Sequence, residues 1–134
     1  MTVQFSAAVR NAMLDAVEVA IGASPKLRFY SGAMPANCAA AATGSLLLEM
    51  ALPSNFYDDA AGGSKALAGT WSGQASGAGT IGYYRILNAA GDTCHEQGTV
   101  TVAGGGGDMI IDNATVSATQ TVTVSAKTLT AGNA

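Results

Sequence analysis

Between residues 6 and 21 the apolar positions recur at helical spacing: Val9, Met13, Val17, Ala20 and Ile21, with Leu14 beside them. Asn11, Asp15 and Glu18 fall on the other side. Ser6 is placed to accept from the free N–H groups of a first turn. Gly22 suits the position just past the end, and Pro25 prevents resumption. The pattern predicts one amphipathic helix over 6–21. Its apolar side has to lie on something, either its own sheet or a neighbouring subunit.

From residue 26 the period shortens towards two. Leu27 and Phe29 alternate with Arg28 and Tyr30, which predicts a strand over 26–30. Further strands are expected over 45–52, 67–71 and 109–111, with 115–116 leading into a last one over 121–128. In that last strand Val122, Val124 and Ala126 alternate with Thr121, Thr123, Ser125 and Lys127. Leu129 falls on the polar phase, so a bulge or a change of burial is expected there. The stretch 80–102 reads as a hairpin whose arms, 81–87 and 93–102, flank a turn built from Asn88, Gly91 and Asp92. The glycines 104–107 read as a hairpin connection, 34–44 as a long connection, and 56–64 and 72–79 as loops. About eight short strands at intervals of roughly ten residues favour a mainly β fold, an antiparallel sandwich or jelly roll with one N-terminal helix. The chain reads as one domain: helix 6–21, sandwich 26–130 and a short polar tail over 131–134.

Composition sharpens this picture. In 134 residues, 49% are apolar but only 11% are charged, against a usual charged share of about 25%. A surface so poor in charge suits contact with other protein. The net charge of −3 and six scattered basic residues argue against nucleic-acid binding. No apolar run approaches the roughly 18 residues of a spanning helix. No basic residue precedes Arg10 and no apolar leader core is visible, so no secretion signal is expected. Cys38 and Cys94 are then expected as reduced thiols, able to bridge only if the fold brings them together.

Candidate chemistry is sparse. Gly77, Gly79 and Gly82 match a dinucleotide fingerprint but lack the strand before and the helix after that would bring a phosphate to a helix N-terminus. The glycines 104–107 lack the lysine of a phosphate loop. Cys94 and His95 are strand neighbours pointing to opposite faces and cannot easily chelate one ion; Cys38 with His95 stays open as a nucleophile pair. Asp58, Asp59, Asp108 and Asp112 suit turn capping better than calcium. The sequon at Asn113 has no meaning without secretion, and no serine-nucleophile elbow occurs. No catalytic residue, metal or cofactor is expected; in an enzyme the carriers would be Asp58, Asp59, His95 or Glu96. Aromatic residues anchor interfaces at low entropic cost. The interface candidates are therefore Phe5, Arg10, Met34, Phe56, Tyr57, Trp71, Tyr84 and His95. Tyr83 and Tyr84 face opposite ways, so one of them is expected to leave the interior.

Segments along nearly the whole chain resemble small proteins encoded among the structural genes of tailed bacteriophages. They include VQFSAAVRNA at 3–12, LDA at 14–16, PANCAA at 35–40, GGSKA at 62–66 and GTW at 69–71. Others are RI at 85–86, TCH at 93–95, QGTV at 97–100, GGDM at 106–109, DN at 112–113 and TLTAGN at 128–133. The resemblance carries no mechanistic motif. It implies a virion structural component, in the first place a capsid cement (decoration) protein. Such a protein would be made in the host cytoplasm and seated as a homo-oligomer, a trimer by preference, on the major capsid protein at the capsid surface. It would need no membrane and no nucleic acid. The resemblance also admits a tail or tail-fibre protein that recognises the host. A carbohydrate-binding or carbohydrate-active domain, using Trp71 or the tyrosines, is the reading from a different class.

Overall fold

The computed structural model describes residues 3–132, so the last two positions of the expected tail lie outside the described residues. One helix, α1 (Ala7–Ile21), precedes nine strands: β1 (Lys26–Ser31), β2 (Leu46–Ala51), β3 (Ser64–Ala66), β4 (Ser72–Gln74), β5 (Gly79–Leu87), β6 (Cys94–Val102), β7 (Met109–Ile111), β8 (Thr115–Val116) and β9 (Thr121–Thr130). The strands make a mixed, open sheet in the order β2-β1-β5-β6-β7-β9-β3. In addition β4 pairs with β9 and β8 with β5. A mainly β chain with one N-terminal helix agrees with the pattern of the sequence.

Local chemistry explains the best-defined boundaries. Ser6 caps α1, its Oγ accepting from the Val9 N–H at 3.3 Å, and Gly22 closes it with a positive φ. The central hairpin turns on Asn88, whose Oδ1 accepts from the N–H groups of Gly91, Asp92 and Thr93. The inner face of the sheet collects Leu27, Phe29, Leu48, Tyr84, Ile86, Met109, Ile111 and Val122 into one core. Phe56, Tyr57 and Trp71 join them from the loops. Burying aromatic residues of this size contributes about 2–3 kcal/mol each.

Several expectations need correction: the alternation of β9 breaks after Val124, so Ala126 is exposed and Lys127 buried, and the expected 72–79 loop contains β4. The strand expected over 67–71 is absent: pairing stops at Ala66 and resumes at Ser72, apart from one bridge between Tyr57 and Leu67. In between, the Trp71 ring turns into the core and its Nε1 donates to the Ala68 carbonyl at 3.1 Å, a geometry that breaks the strand. The glycines 104–107 are not a hairpin connection, because β6 and β7 are parallel, with Val100 beside Met109 and Val102 beside Ile111. Parallel neighbours usually need a crossover of about a dozen residues. Here the chain doubles back along β6 itself. A Cβ on Gly105 would sit 2.5 Å from the Thr101 Cβ, and one on Gly107 would sit 2.8 Å from the Thr101 N. Only glycine permits that approach.

Tyr83 and Tyr84 do face opposite ways and Tyr83 leaves the core, as expected, yet both are buried. Tyr84 enters the core. Tyr83 lies on the outer face, stacked on Tyr30 with centroids 5.1 Å apart. The 32–45 connection lies over it: the Tyr83 hydroxyl donates to the Thr43 carbonyl at 2.6 Å and accepts from the Thr43 N–H at 2.9 Å. A loop thus acts as a partial second layer, which two-residue alternation cannot reveal.

Candidate functional site

A cleft opens where the strand lengths are unequal. β6 and β9 have nine and ten residues, but β7 between them has three. Where β7 ends, its neighbours splay and leave a cleft of about 540 Å³. Tyr84, Glu96, Gln97, Asp108, Lys127 and Leu129 are among the residues that line it. At its floor the Glu96 carboxylate accepts from the Tyr84 hydroxyl at 2.5 Å and from the Tyr57 hydroxyl at 3.1 Å. The Lys127 ammonium lies 3.1 Å from the same carboxylate and 5.3 Å from the centroid of the Tyr84 ring. Burial, reinforced by the negative charge of Glu96, pushes the Tyr57 and Tyr84 phenols well above their ordinary range. Both stay protonated and serve as donors. At the rim the Asp108 carboxylate accepts from the Thr99 N–H and Oγ1 at 2.9 and 3.0 Å. The carboxylates of this cleft are therefore occupied by neighbours in the same chain, and the network braces β5, β6 and β9 against each other. Gln97 Oε1 and Arg85 Nε are buried without a partner among the described residues.

The interface candidates divide into two groups. Phe56, Tyr57, Trp71 and Tyr84 are core residues, so none of them is available as a surface anchor. Aromatic rings carry the largest apolar area in a chain with few large side chains, and the core claims them first. Phe5, Met34 and His95 are exposed, and Arg10 is half-buried. Arg10 donates through Nε to the Ala131 carbonyl at 3.0 Å, so part of the expected tail is tied down. Asp58 and Asp59 are exposed. Asp112 caps a turn by accepting from the Thr123 N–H at 3.0 Å. Among the described residues no three side chains gather as metal ligands, and no helix is long and apolar enough to cross a membrane.

The helix docks rotated from its pattern: Leu14, Ile21 and the half-buried Val17 face the core as expected, but Val9, Met13 and Ala20 do not. The side bearing Asn11, Asp15 and Glu18 faces the body. Asn11 Oδ1 accepts from the Gly63 N–H at 2.8 Å, Asp15 Oδ1 from the Ala60 N–H at 3.0 Å, and Glu18 Oε2 from the Tyr57 N–H at 2.7 Å. The buried Lys65 ammonium sits between them, 2.7 Å from Asp15 and 3.6 Å from Glu18, and also donates to the Asp58 carbonyl at 2.9 Å. The Lys65 hydrogen bond, followed by that of Ala60, holds the Asp15 carboxyl below its usual range. Leu14 and Ile21 are the helix's only buried residues. Val9, Met13 and Val19 remain 44%, 42% and 81% exposed. The reason lies in the 57–63 loop, whose N–H groups have few sheet partners and need acceptors. The polar side of the helix supplies them, and the turn this imposes leaves Val9, Met13 and Val19 outward while Leu14, Val17 and Ile21 keep the core.

On the outer face of the sheet the 32–45 connection is held by side chains reaching up from the strands. Arg85 Nη2 donates to the Ala40 and Asn37 carbonyls at 2.8 and 3.3 Å, and Gln97 Nε2 donates to the Pro35 carbonyl at 2.8 Å. This clamp brings Cys38 to Cys94, with the two Sγ atoms 3.0 Å apart. The partner of Cys38 is thus Cys94, while His95 points away on an exposed position. Sequence spacing gave no sign of this pair, because 56 residues separate its members.

Comparison of the chain with protein-family models, with curated proteins and with solved structures finds no significant match.

Proposed function

We propose that this chain is a non-enzymatic structural protein of a bacteriophage virion: a capsid cement protein that assembles as a homo-oligomer, a trimer by preference, on the outside of the major capsid protein lattice. The observation that carries the reading is the outward apolar side of α1. Val9, Ala12, Met13, Ala16, Val19 and Ala20 are all exposed, and none is charged. Val9, Met13, Ala16 and Ala20 follow at steps of four, three and four, the spacing of a helix–helix seam, and the alanines permit close approach. A side with no charge complements itself, so a second copy of the same helix is its natural partner. Val3 and Phe5, just ahead of the helix, are exposed as well, and contiguous exposed apolar surface marks interaction sites.

The remainder of the surface supports the same reading. Three of the six basic side chains, Lys65, Arg85 and Lys127, are buried inside the monomer. The exterior therefore carries fewer positive charges than the composition suggests. That suits the outside of a shell better than the DNA within it. A sandwich arrangement belongs to the proposal as well. It is supported by β4 lying over β2, where a Cβ on Gly73 would sit 3.0 Å from the Met50 Cβ and 3.4 Å from Leu48. The rings that would stack on a glycan, Trp71 and the tyrosines, are buried, which weighs against glycan binding through them.

Two measurements test the reading. Quantitative mass spectrometry of purified virions should place this chain at roughly the copy number of the major capsid protein or a simple large fraction of it. A few per cent would move it to the tail or its fibres. The double variant Met13→Glu with Val19→Glu should remain folded and become monomeric by light scattering, since exposed substitutions change monomer stability by only about 0.5 kcal/mol. A wild-type monomer would remove the carrying observation.

A further inference from the structure

We infer that Cys38 and Cys94 are a disulfide-forming pair, a redox staple that fastens the 32–45 connection to the start of β6. The inference stands on placement. The two Sγ atoms already touch at 3.0 Å, and both residues are partly accessible to small reagents. Both backbones are held independently of the thiols. Arg85 grips the Asn37 and Ala40 carbonyls on either side of Cys38, and Gln97 grips the Pro35 carbonyl. Cys94 lies in the sheet opposite Leu87. Closing the bond therefore needs side-chain rotation and no movement of an element. Burial, and then the neighbouring Cys38 thiol, push the Cys94 thiol up to about 12, with Arg85 pulling the other way. At neutral pH few thiolates form at Cys94, which keeps closure slow until an oxidant is abundant.

The oxidant is a small disulfide such as glutathione disulfide. One cysteine thiolate attacks a sulfur of that disulfide, breaking its S–S bond and releasing one glutathione thiolate. The second cysteine thiolate attacks the protein sulfur of the mixed disulfide and expels the second glutathione. One S–S bond forms in the protein and one is broken in the oxidant. Two electrons pass to the oxidant, and the two cysteine protons end on the two glutathione thiols. The loop so closed spans 56 residues, long enough for a cross-link to constrain the unfolded chain strongly. If the virion reading holds, and only this timing rests on it, the staple closes when particles leave the reducing cytoplasm for an oxidising exterior.

The test equilibrates the purified chain with glutathione redox buffers, followed by intact mass and peptide mapping. The expected product is a monomer lighter by about 2 Da, with Cys38 joined to Cys94 and a melting temperature roughly 10 °C above that of the reduced chain. Cys38→Ser and Cys94→Ser should each give only a glutathione adduct, and the double variant should show no shift between the two buffers. Two glutathione adducts on the wild type, intermolecular dimers, or a bond formed only in denaturant would overturn the inference. So would an oxidised chain that melts at or below the reduced one. Alkylating thiols in infected cells and in purified particles separates the two claims. A staple in the isolated chain with no such chain in particles would refute the virion reading alone.

Discussion

The helix α1 and the 32–45 connection are both added to the outside of the sheet, yet they are attached in opposite senses. The helix offers side-chain acceptors, Asn11, Asp15 and Glu18, to backbone donors of the body. The connection offers backbone acceptors, the carbonyls of Pro35, Asn37, Ala40 and Thr43, to side-chain donors of the strands. The helix satisfies its own backbone internally, so only its side chains are free to bond. The connection has no internal ladder, and its carbonyls would be unpaired if the strands did not reach them. The consequence for the surface differs too. The polar attachment leaves Val9, Met13 and Val19 of the helix facing out, whereas the connection covers Tyr83 and Arg85 and leaves Met34 outward.

The largest effect should come from Lys65, which joins the helix to the body through ionic contacts. Lys65→Ala removes the cation between Asp15 and Glu18 and its bond to the Asp58 carbonyl. The stability lost in chemical denaturation should be about 3 kcal/mol, at the lower end for a broken buried pair, because Asp15 is half-exposed and can rehydrate. Hydrogen exchange should quicken at the amides of Tyr57, Ala60 and Gly63 while that of Thr43 stays slow. Equal acceleration at Thr43 would mean that the two attachments are one cooperative unit.

Arg85→Met is the converse experiment. It removes two hydrogen bonds to the connection, but it also removes the buried Nε that has no partner. The net loss should be about 1–2 kcal/mol. Limited proteolysis should then cut within the connection, and the amides under the helix should be unaffected.

Acid separates the two attachments without mutation. The Asp15 carboxyl is held low in the folded chain by Lys65 and the Ala60 N–H, so its stabilisation is complete above its unfolded pKa. It is lost as the pH falls through the depressed folded value, below about 4. Protection of the Ala60 amide should therefore decline over that range. The Thr43 amide is held by the Tyr83 hydroxyl and not by a carboxylate, and its protection should persist until the fold itself fails. A parallel decline at both would remove Asp15 as the acid-sensitive point of the helix attachment.

How much was legible in the sequence follows the same division. Whatever depends on neighbours in the chain could be read: the Ser6 cap, the Gly22 stop, the Asn88 turn, and the alternation of β9 through Val122 and Val124. Periodicity also found the two sides of α1, and Leu14, Val17 and Ile21 do face the core, but the 57–63 loop draws the polar side in beside them and leaves Val9 and Met13 out. Which of Trp71, Tyr57 and Tyr84 would be buried was unreadable because each has a polar tip that would suit a surface equally well. In the fold those tips find the Ala68 carbonyl and Glu96. The thiol pair was unreadable for a different reason, since it depends on a loop crossing the sheet between two distant segments.

The smallest effect tests whether the outward side of α1 needs a well-formed helix beneath it. Ser6 Oγ accepts only the Val9 N–H, at an exposed end, and no other described contact depends on it. Ser6→Ala should cost about 0.5–1 kcal/mol, the usual worth of such a cap. That loss should appear as fraying of the first turn, with faster exchange at Val9 and Arg10 and no change at Tyr57, because the Glu18 end is anchored separately. In the proposed assembly Val9 begins the apolar seam, and there fraying should weaken self-association in proportion to the turn's population while leaving the monomer folded. Weakened association with unchanged exchange at Val9 would move the seam's origin to Val3 and Phe5, ahead of the cap. Faster exchange with unchanged association would confine the seam to Met13, Ala16 and Ala20.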